Sequence, residues 1–341
     1  MRVIVVGAGV TGLAVAQRLL AGGVDVRVVD RTGIGAGASG VQPGGVRRQW
    51  ATEANCRLAQ ESYDAYLELG PAFTACGYAF VAHSGTRLAE LEAAVALQQR
   101  LGIPSAILSP AEAAAVVPDL DPSRIAGAAW CAADGYFDRA RAPLEMYARG
   151  IEVERAEIET LAGLEADAVV VAAGHESTGL LETIGVEVPI APERRHLFFS
   201  APIQERILDP LVIASEIGFA AKQLADGRVL ASDLRGAGGP DEWRRTIRAG
   251  VESLLPRLEA VSFTELVSGV YDVTPDHDPI LGPVADGVWL AAGFSGHGFM
   301  LAPAVGRLIA DSVLGRDDPL LAAYSLDRFA IARRPIETNV I

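Results

Sequence analysis

Uninterrupted runs of apolar residues occur at three places along the chain, within Arg2–Val6, Ala168–Ala172 and Gly287–Ala291. Runs of this length, bounded by turn residues, are typical of strands that are buried on both faces of a parallel sheet. The first run leads through a glycine turn into a predicted helix over Leu13–Ala21 and a second predicted strand over Val24–Val29. The start of the chain therefore predicts a βαβ unit.

Shorter segments with alternating polar and apolar residues lie between these runs and predict a second sheet that is largely antiparallel. Its predicted strands are Gly77–Ala82, Arg124–Cys131, Arg195–Ser200, Leu211–Ile213, Ile217–Ala221 and Val229–Ala231. The other predicted elements are helices over Thr52–Leu69, Thr86–Leu101, Pro110–Val117, Asp241–Leu255 and Ala302–Leu314, and a glycine-rich loop over Thr32–Gly45. Because the two kinds of strand alternate along the chain, we predict an α/β (α+β) protein with two interleaved domains. The parallel-sheet domain is predicted to comprise residues 1–76, 136–181 and 286–341, and the mixed-sheet domain residues 77–135 and 182–285.

Composition and charge exclude several classes of function. The 341 residues carry a net charge of −14, which disfavours nucleic acid and anionic membrane surfaces as partners. No apolar run reaches the ~18 residues of a membrane span, so none is expected. Three widely spaced cysteines without a CxxC pair predict neither a disulfide framework nor a zinc site and indicate a cytoplasmic protein. His277 and Asp278 follow Pro275 and are interpreted as a turn, so no metal site is expected.

The turn after the first strand has the spacing of a dinucleotide-binding motif. Gly7, Gly9 and Gly12 form GxGxxG, and Asp30 ends the second predicted strand. Glycines at these positions permit a tight turn, close approach of the backbone to a pyrophosphate and close packing of helix on strand, while the acid accepts hydrogen bonds from ribose hydroxyls. The helix N-terminus adds N–H groups and partial positive charge for the phosphates. This context favours dinucleotide binding over a purely structural glycine turn.

Two later features favour FAD over NAD. Ala173 and Gly174 follow the second buried run, where the backbone can approach the adenine side of a dinucleotide. Gly293–Gly298 precedes the C-terminal helix, and its N–H groups could face the edge of a flavin ring on which reduction builds negative charge. A second GxGxxG for NADPH is absent, so an NAD-linked dehydrogenase is the less favoured alternative.

Five segments share their order and residue types with one enzyme superfamily: Gly7–Gly12 with Asp30, Ser39–Trp50, Ala168–Gly174, Thr274–Gly282 and Gly293–Met300. Together they resemble the D-amino-acid oxidase superfamily of FAD-dependent oxidoreductases, and in it the sarcosine oxidase and glycine oxidase branch. The sequences GGVRRQW, TPDHDPILG and GFSGHGF resemble most the FAD-containing β subunits of heteromeric sarcosine oxidases and L-proline dehydrogenases.

The resemblance implies a Rossmann-like FAD-binding domain of the GR2 type and a substrate domain interleaved with it. It implies oxidation of a small amine or amino acid by hydride transfer from the α-carbon to flavin N5, followed by hydrolysis of the imine. The residues expected at FAD are Gly7, Gly9, Val10, Thr11, Gly12, Asp30, Arg31, Ala38, Ser39, Gly44, Gly45, Val46, Ala173, Gly174, Gly293, Gly296, His297, Gly298, Phe299 and Met300.

The candidate catalytic residues are Arg47, Arg48, Tyr271 and His297. An arginine of the pair could form a bidentate bond with a substrate carboxylate or pair with the flavin, or the pair could lie at the surface beside Trp50. Tyr271 could offer its hydroxyl to the substrate or be a buried structural tyrosine. His297, between two glycines, is predicted either to press against the flavin or to cap the following helix.

Departures from the family pattern bear on how FAD is held and on the electron acceptor. Gly269 stands where some sarcosine oxidases attach FAD covalently through a cysteine, so non-covalent FAD is expected. Met300 stands where a lysine often helps to bind the substrate carboxylate. Val229 is aligned with the oxygen-activating lysine of the monomeric oxidases, and Lys222, the single lysine, is assigned to another part of the hairpin. The expected consequence is slow reaction with O₂ and faster reaction with a dye or a partner redox centre.

Two alternative functions share these sequence features. One is a non-catalytic or electron-relaying FAD subunit in a hetero-oligomer with a redox subunit. The other is an FAD-dependent 2-hydroxy-acid dehydrogenase, since one fold supports both chemistries.

Overall fold

The computed structural model describes residues 1–235, 238–316, 318–330 and 336–339. The strands are β1 (Arg2–Val6), β2 (Asp25–Asp30), β3 (Gly45–Val46), β4 (Phe73–Thr74), β5 (Tyr78–Ala82), β6 (Ala106–Leu108), β7 (Gly127–Cys131), β8 (Gly135–Phe137), β9 (Val153–Arg155), β10 (Ala168–Val171), β11 (Ala191–Ser200), β12 (Leu211–Ala214), β13 (Phe219–Gln223), β14 (Val229–Asp233), β15 (Phe263–Val273), β16 (Ile280–Ala285) and β17 (Val288–Ala292). The α-helices are α1 (Val10–Ala21), α2 (Ala38–Val41), α3 (Glu53–Leu69), α4 (Gly85–Arg100), α5 (Pro110–Val116), α6 (Ala142–Tyr147), α7 (Ser177–Glu182), α8 (Pro240–Leu254) and α9 (Gly298–Val313).

The first sheet has the strand order β16-β17-β10-β1-β2-β9 and is parallel except for β16 at its edge. Its central strands are apolar throughout because both faces are covered. Val3 and Val5 belong to the core that α1 and α9 form on one face. Ile4 and Val6 belong to the core on the other face, together with Leu181 of α7. The continuous apolar runs of the sequence are thus explained by two-sided burial.

The second sheet has the order β15-β11-β14-β13-β12-β5-β7-β6, and β12–β5 is its parallel pair. Helix α8 covers one face with Trp243, Ile247 and Val251, which recur every four residues and so share one side of the helix. On the opposite face, α4 packs on β5 and β7 through Leu91 and Val95, and Arg195 and Leu197 of β11 line the cavity described below. A small third sheet has the order β3-β8-β4.

The predicted fold class is confirmed: a Rossmann-like parallel sheet is interleaved with a mixed, largely antiparallel sheet. One segment lies elsewhere than predicted, since Ile280–Ala285 pairs with Val288–Ala292 in the first sheet, whereas the sequence analysis assigned residues up to 285 to the second domain. Pro283 in this strand is tolerated because an edge strand does not need every N–H for pairing. The predicted loop over Thr32–Gly45 also contains the short helix α2.

The described C-terminal residues 336–339 are anchored against the start of α3. The carboxylate of Glu337 is buried and accepts hydrogen bonds from the backbone N–H of Ala51 (2.9 Å) and Thr52 (3.3 Å) and from Asn55 Nδ2 (3.1 Å). A negative charge at the N-terminus of a helix is stabilised by the unpaired N–H groups there.

Glu337→Ala is expected to lower the free energy of unfolding by ~1–3 kcal/mol, because buried N–H donors lose their acceptor. That change corresponds to a fall in Tm of about 1–4 °C. Glu92→Ala, on the exposed face of α4, is the control and should leave Tm unchanged. Equal melting temperatures for both variants would show that the anchor contributes nothing to stability.

Candidate active site

A cavity of about 960 Å³ opens at the carboxyl ends of β1, β2 and β10, the edge at which open parallel sheets bind ligands. The predicted cofactor residues that line it are Gly7, Gly9, Val10, Thr11, Asp30, Arg31, Ala38, Ser39, Ala173, Gly174, Gly296, Gly298 and Phe299. Those that do not line it are Gly12, Gly44, Gly45, Val46, Gly293, His297 and Met300. Most of the predicted residues, although distant in sequence, therefore share one concave surface.

The glycine turn brings α1 and the strands into backbone contact. Gly7 has φ +111°, and a Cβ on it would lie 2.3 Å from the carbonyl oxygen of Ala172. A Cβ on Gly12 would lie 2.0 Å from the carbonyl oxygen of Gly7. A side chain at either position would collide with backbone, so glycine is required. This packing presents the N-terminus of α1, whose N-cap Gly9 supplies no side-chain bond, to the cavity as an anion site.

Asp30 fixes the turn and faces the cavity. Its carboxylate accepts hydrogen bonds from the backbone N–H of Ala8 (2.8 Å), Thr32 (2.9 Å) and Gly33 (2.7 Å). Arg31 beside it forms ion pairs with Glu176 and, at 3.7 Å, with Glu157. The acid is therefore held rigidly where ribose hydroxyls of a dinucleotide would lie, which fits the predicted cofactor.

The loop Gly293–Gly298 is held against the far end of the cavity by Asp272. The buried Asp272 carboxylate accepts a hydrogen bond from the N–H of Gly293 (2.7 Å), and its carbonyl oxygen accepts one from the N–H of Ser295 (3.0 Å). Burial raises the pKa of Asp272, and the N–H donors act against that rise. Tyr271 packs on Gly296, where a Cβ would lie 2.2 Å from its ring. Asp272 was not among the residues predicted from the sequence, although it lies directly beside Tyr271 in the strand that leads to Thr274–Gly282.

A side cavity of about 100 Å³ adjoins the main one, and Pro43, Arg195, Leu197 and Tyr271 line both. Lys222 also lines it. The ammonium Nζ donates to the carbonyl oxygen of Pro43 (3.1 Å). Burial lowers the pKa of Lys222 to about 7. The side cavity is thus a recess lined by two basic side chains, Arg195 and Lys222.

The alignment of Val229 with the family's oxygen-activating lysine does not match this geometry. In the β13–β14 pair Lys222 lies opposite Leu230, and Gln223 lies opposite Val229. Lys222 and Leu230 face the side cavity, whereas Val229 is buried in the core under α8. Adjacent side chains of a strand point to opposite faces, so Val229 and Leu230 cannot both face the cavity. Lys222, which lies opposite Leu230, faces it.

Comparison with known protein families agrees with a dinucleotide site in the main cavity. The sequence model of the family described as FAD dependent oxidoreductase, DAO, matches residues 2–312. The chain belongs to this family. The residues of the glycine turn, together with Asp30 and the loop before α9, fit FAD, the cofactor on which this family depends.

Relatives of this flavoenzyme family match nearly the full chain. A glycine oxidase of Pseudomonas aeruginosa is 30% identical over 93% of this chain and 95% of its own length. The crystal structure of L-proline dehydrogenase from P. horikoshii is similar with a TM-score of 0.88 and 26% identity, covering 96% of this chain and 97% of that one. Glycine oxidase from Geobacillus kaustophilus shares the fold, with a TM-score of 0.83 and 23% identity over 98% of this chain and 100% of that one.

Within this flavoprotein fold, Arg48 is committed to a buried ion pair. Its Nε donates to Asp134 at 3.0 Å, and its backbone N–H donates to the same carboxylate at 2.9 Å. The guanidinium also lies 3.9 Å over the ring of Tyr63. Arg48 does not line the cavity among the described residues, so this placement does not support it as a substrate ligand.

Arg47 and His297 meet behind the loop rather than in the cavity. The Arg47 guanidinium lies 3.9 Å from the ring of Trp50 and donates to the carbonyl oxygens of Gln49 and Asn339. Burial lowers the pKa of Arg47 to about 10, so it stays charged near neutral pH. The His297 ring packs edge-on against Trp50 at 4.8 Å, and burial with nearby Arg47 holds its pKa well below the usual range. Their side chains fix the loop from behind, and of the predicted catalytic residues Tyr271 lines the cavity.

The sequence predicts no membrane span and no metal site. Over residues 1–235, 238–316, 318–330 and 336–339, no helix is long and apolar enough to cross a bilayer, and no cluster of His, Cys, Asp or Glu suits a metal ion. The turn predicted at His277 is present, since its N–H donates to the carbonyl oxygen of Thr274 at 3.2 Å.

Proposed function

We propose that this FAD-dependent oxidoreductase oxidises the C–N bond of a small amine or amino acid. The observation that carries the proposal is the adjacency of two cavities: the dinucleotide site shares Arg195 and Tyr271 with a side cavity of about 100 Å³ that Lys222 also lines. The similarity to a glycine oxidase over nearly the whole of both chains supports an amino-acid substrate.

FAD, when bound, supplies the acceptor for the hydride of the substrate α-carbon. Asp30 and the N-terminus of α1 would hold its ribose and phosphates. The N–H groups of the loop before α9, which Asp272 fixes, would stabilise negative charge at the ring. Tyr271 and Leu197 form the common wall of the two cavities, where they would orient the substrate and exclude water.

Three further features of the proposed function are its electron acceptor, its cellular location and its protein partners. Lys222 in the side cavity favours direct use of O₂, which reverses the expectation drawn from Val229. The free cysteines Cys56, Cys76 and Cys131 fit a cytoplasmic location. A hetero-oligomer with a redox subunit stays a prediction from the resemblance, and co-purification of a second chain would support it.

Turnover with a dye acceptor tests the proposed reaction. Glycine, sarcosine or L-proline should drive dye reduction and yield the corresponding carbonyl or cyclic imine product. Dye reduction by 2-hydroxy acids alone would replace the proposal with the hydroxy-acid alternative.

FAD is expected to leave the protein on denaturation. Gly269 lines the main cavity and offers no sulfur for a covalent bond. Acid precipitation should therefore place all yellow colour in the supernatant, where its absorbance identifies FAD. Flavin that stays with the polypeptide would contradict non-covalent binding.

A further inference from the structure

The side cavity is apolar over much of its wall. Leu197, Leu211, Leu230 and Leu234 contribute to it. Its volume of about 100 Å³ suits a short side chain. A ligand that enters this recess from the main cavity must therefore be small and partly apolar.

The other polar groups at this recess already have partners within the protein. Ser232 Oγ donates to the carbonyl oxygen of His196 (2.9 Å). Asp233 accepts a hydrogen bond from the backbone N–H of Arg235 (2.9 Å). The ammonium of Lys222 is held by Pro43 and lies 4.2 Å from the ring centroid of Tyr136. Lys222 is the basic side chain among them, and unlike Arg195 it lines the side cavity without lining the main one.

Arg195 is the permanent cation that lines both cavities. It lies on β11 opposite Gly269 of β15, and its guanidinium carbon is 5.5 Å from the ring centroid of Tyr271. Its Nη1 donates to the carbonyl oxygen of Leu234 (3.0 Å), a bond that fixes the direction of the guanidinium. A guanidinium offers five N–H donors in a plane, so donors remain for a ligand.

Glu193 is the counter-ion of Arg195, at 2.9 Å from Nη2. It precedes Arg195 by two residues on the same strand, and 32% of its side chain is exposed compared with 16% for Arg195. An exposed carboxylate can turn to solvent at little cost. A ligand carboxylate can therefore displace the Glu193 carboxylate from the Arg195 guanidinium.

We propose that Arg195 binds the substrate carboxylate and that the side cavity selects small amino acids with short apolar side chains. This inference rests on the proposed function, because it names the substrate class of the same site. It assigns to Arg195 the role that sequence analysis gave to Arg47 or Arg48. A chain with a net charge of −14 repels anions, so a local cation is needed for carboxylate recognition.

Arg194 provides a matched control. It is the neighbouring residue on β11 and is exposed, since successive side chains of a strand point to opposite faces. Arg194→Met and Arg195→Met change charge and size equally but on opposite faces of the sheet.

The experiment measures binding of propionate and of the neutral propionamide, from the change in visible absorbance of the FAD-loaded protein and from thermal shift. Wild type and Arg194→Met should bind propionate at least ten times more tightly than propionamide. Arg195→Met should bind propionate about 10- to 100-fold more weakly than wild type, because charge-assisted bonds are lost, and should no longer prefer it. Arg195→Lys should be intermediate, since a bidentate donor becomes a point charge.

Two results would overturn the proposal: Arg195→Met that keeps the wild-type preference for propionate, or wild type that shows none. If Arg195→Met does not fold, as judged by FAD content, Arg195→Lys decides with the same criterion, unchanged affinity being the negative result. Glu193→Gln should bind propionate at least as tightly as wild type, because the competing carboxylate is removed. Failure of the proposed reaction would appear separately, as normal propionate binding without reduction of FAD by any amine.

Discussion

Asp30→Ala is expected to weaken FAD binding by about two to four orders of magnitude. Two hydrogen bonds from ribose hydroxyls to a carboxylate contribute ~1.5–3 kcal/mol each, and both are lost. The substitution also removes the acceptor that holds the N–H groups of Ala8 and Gly33, so the glycine turn loses its fixed geometry. The purified variant should be colourless or nearly so, and titration with FAD should give its weakened Kd.

Asp25→Ala is the control for this prediction. Asp25 begins the same strand but is exposed and forms only a surface ion pair with Arg2 at 3.5 Å. It should bind FAD as wild type does. A yellow Asp30→Ala protein with stoichiometric FAD would show that the acid does not contact the cofactor.

Lys222→Met is expected to slow reoxidation of the substrate-reduced protein by O₂ by about 10²–10³-fold. The basis is electrostatic: a fixed positive charge stabilises the negative charge that develops when O₂ accepts an electron, and removal of one such group costs about this factor. Turnover with a dye should change far less, because the dye does not need that charge. Stopped-flow absorbance under defined O₂ measures both rates.

The pKa of Lys222 gives this prediction a pH dependence. Burial lowers the pKa to about 7, so the charged fraction rises as pH falls through 7 and declines above it. Reoxidation by O₂ in wild type should therefore accelerate toward lower pH, and Lys222→Met should lack this dependence. Arg248→Met, on the exposed side of α8, should behave as wild type. Equal O₂ rates in Lys222→Met and wild type would exclude the lysine as the group responsible.

The part of the site expected to hold the dinucleotide could be predicted from the sequence, because the residues that form it lie close together in the chain. The strand, glycine spacing, helix and terminal acid of the first 30 residues form one βαβ unit, and each has a distinct residue signature. The structure places Gly7, Gly9 and Asp30 on one cavity wall, as the spacing predicts.

The residues expected to contact the substrate could not be predicted from the sequence, because their orientation depends on strand register and on pairing between strands that are distant in the chain. Arg194 and Arg195 look alike in sequence, and only the position of β11 between β14 and β15 shows which one faces the cavity. In the β13–β14 hairpin, Val229 lies opposite Gln223, one position along from the pair Lys222 and Leu230, and packs in the core rather than at the side cavity.

The partners of buried charged residues could not be predicted from the sequence either. Arg48 resembled a free ligand in the sequence, yet its partner Asp134 lies 86 residues away and both are buried. Glu337 reaches α3 from the opposite end of the chain. A buried arginine needs such a partner, but the sequence does not indicate which acid supplies it.

Anaerobic titration of the purified yellow protein shows whether its FAD is reduced by an amine or by a hydroxy acid. Glycine, sarcosine, L-proline and the 2-hydroxy acids glycolate and lactate are added separately, and the visible absorbance of FAD is followed. At least one amino acid is expected to bleach the flavin, and neither hydroxy acid is. Bleaching by glycolate or lactate with none by the amino acids would contradict this expectation.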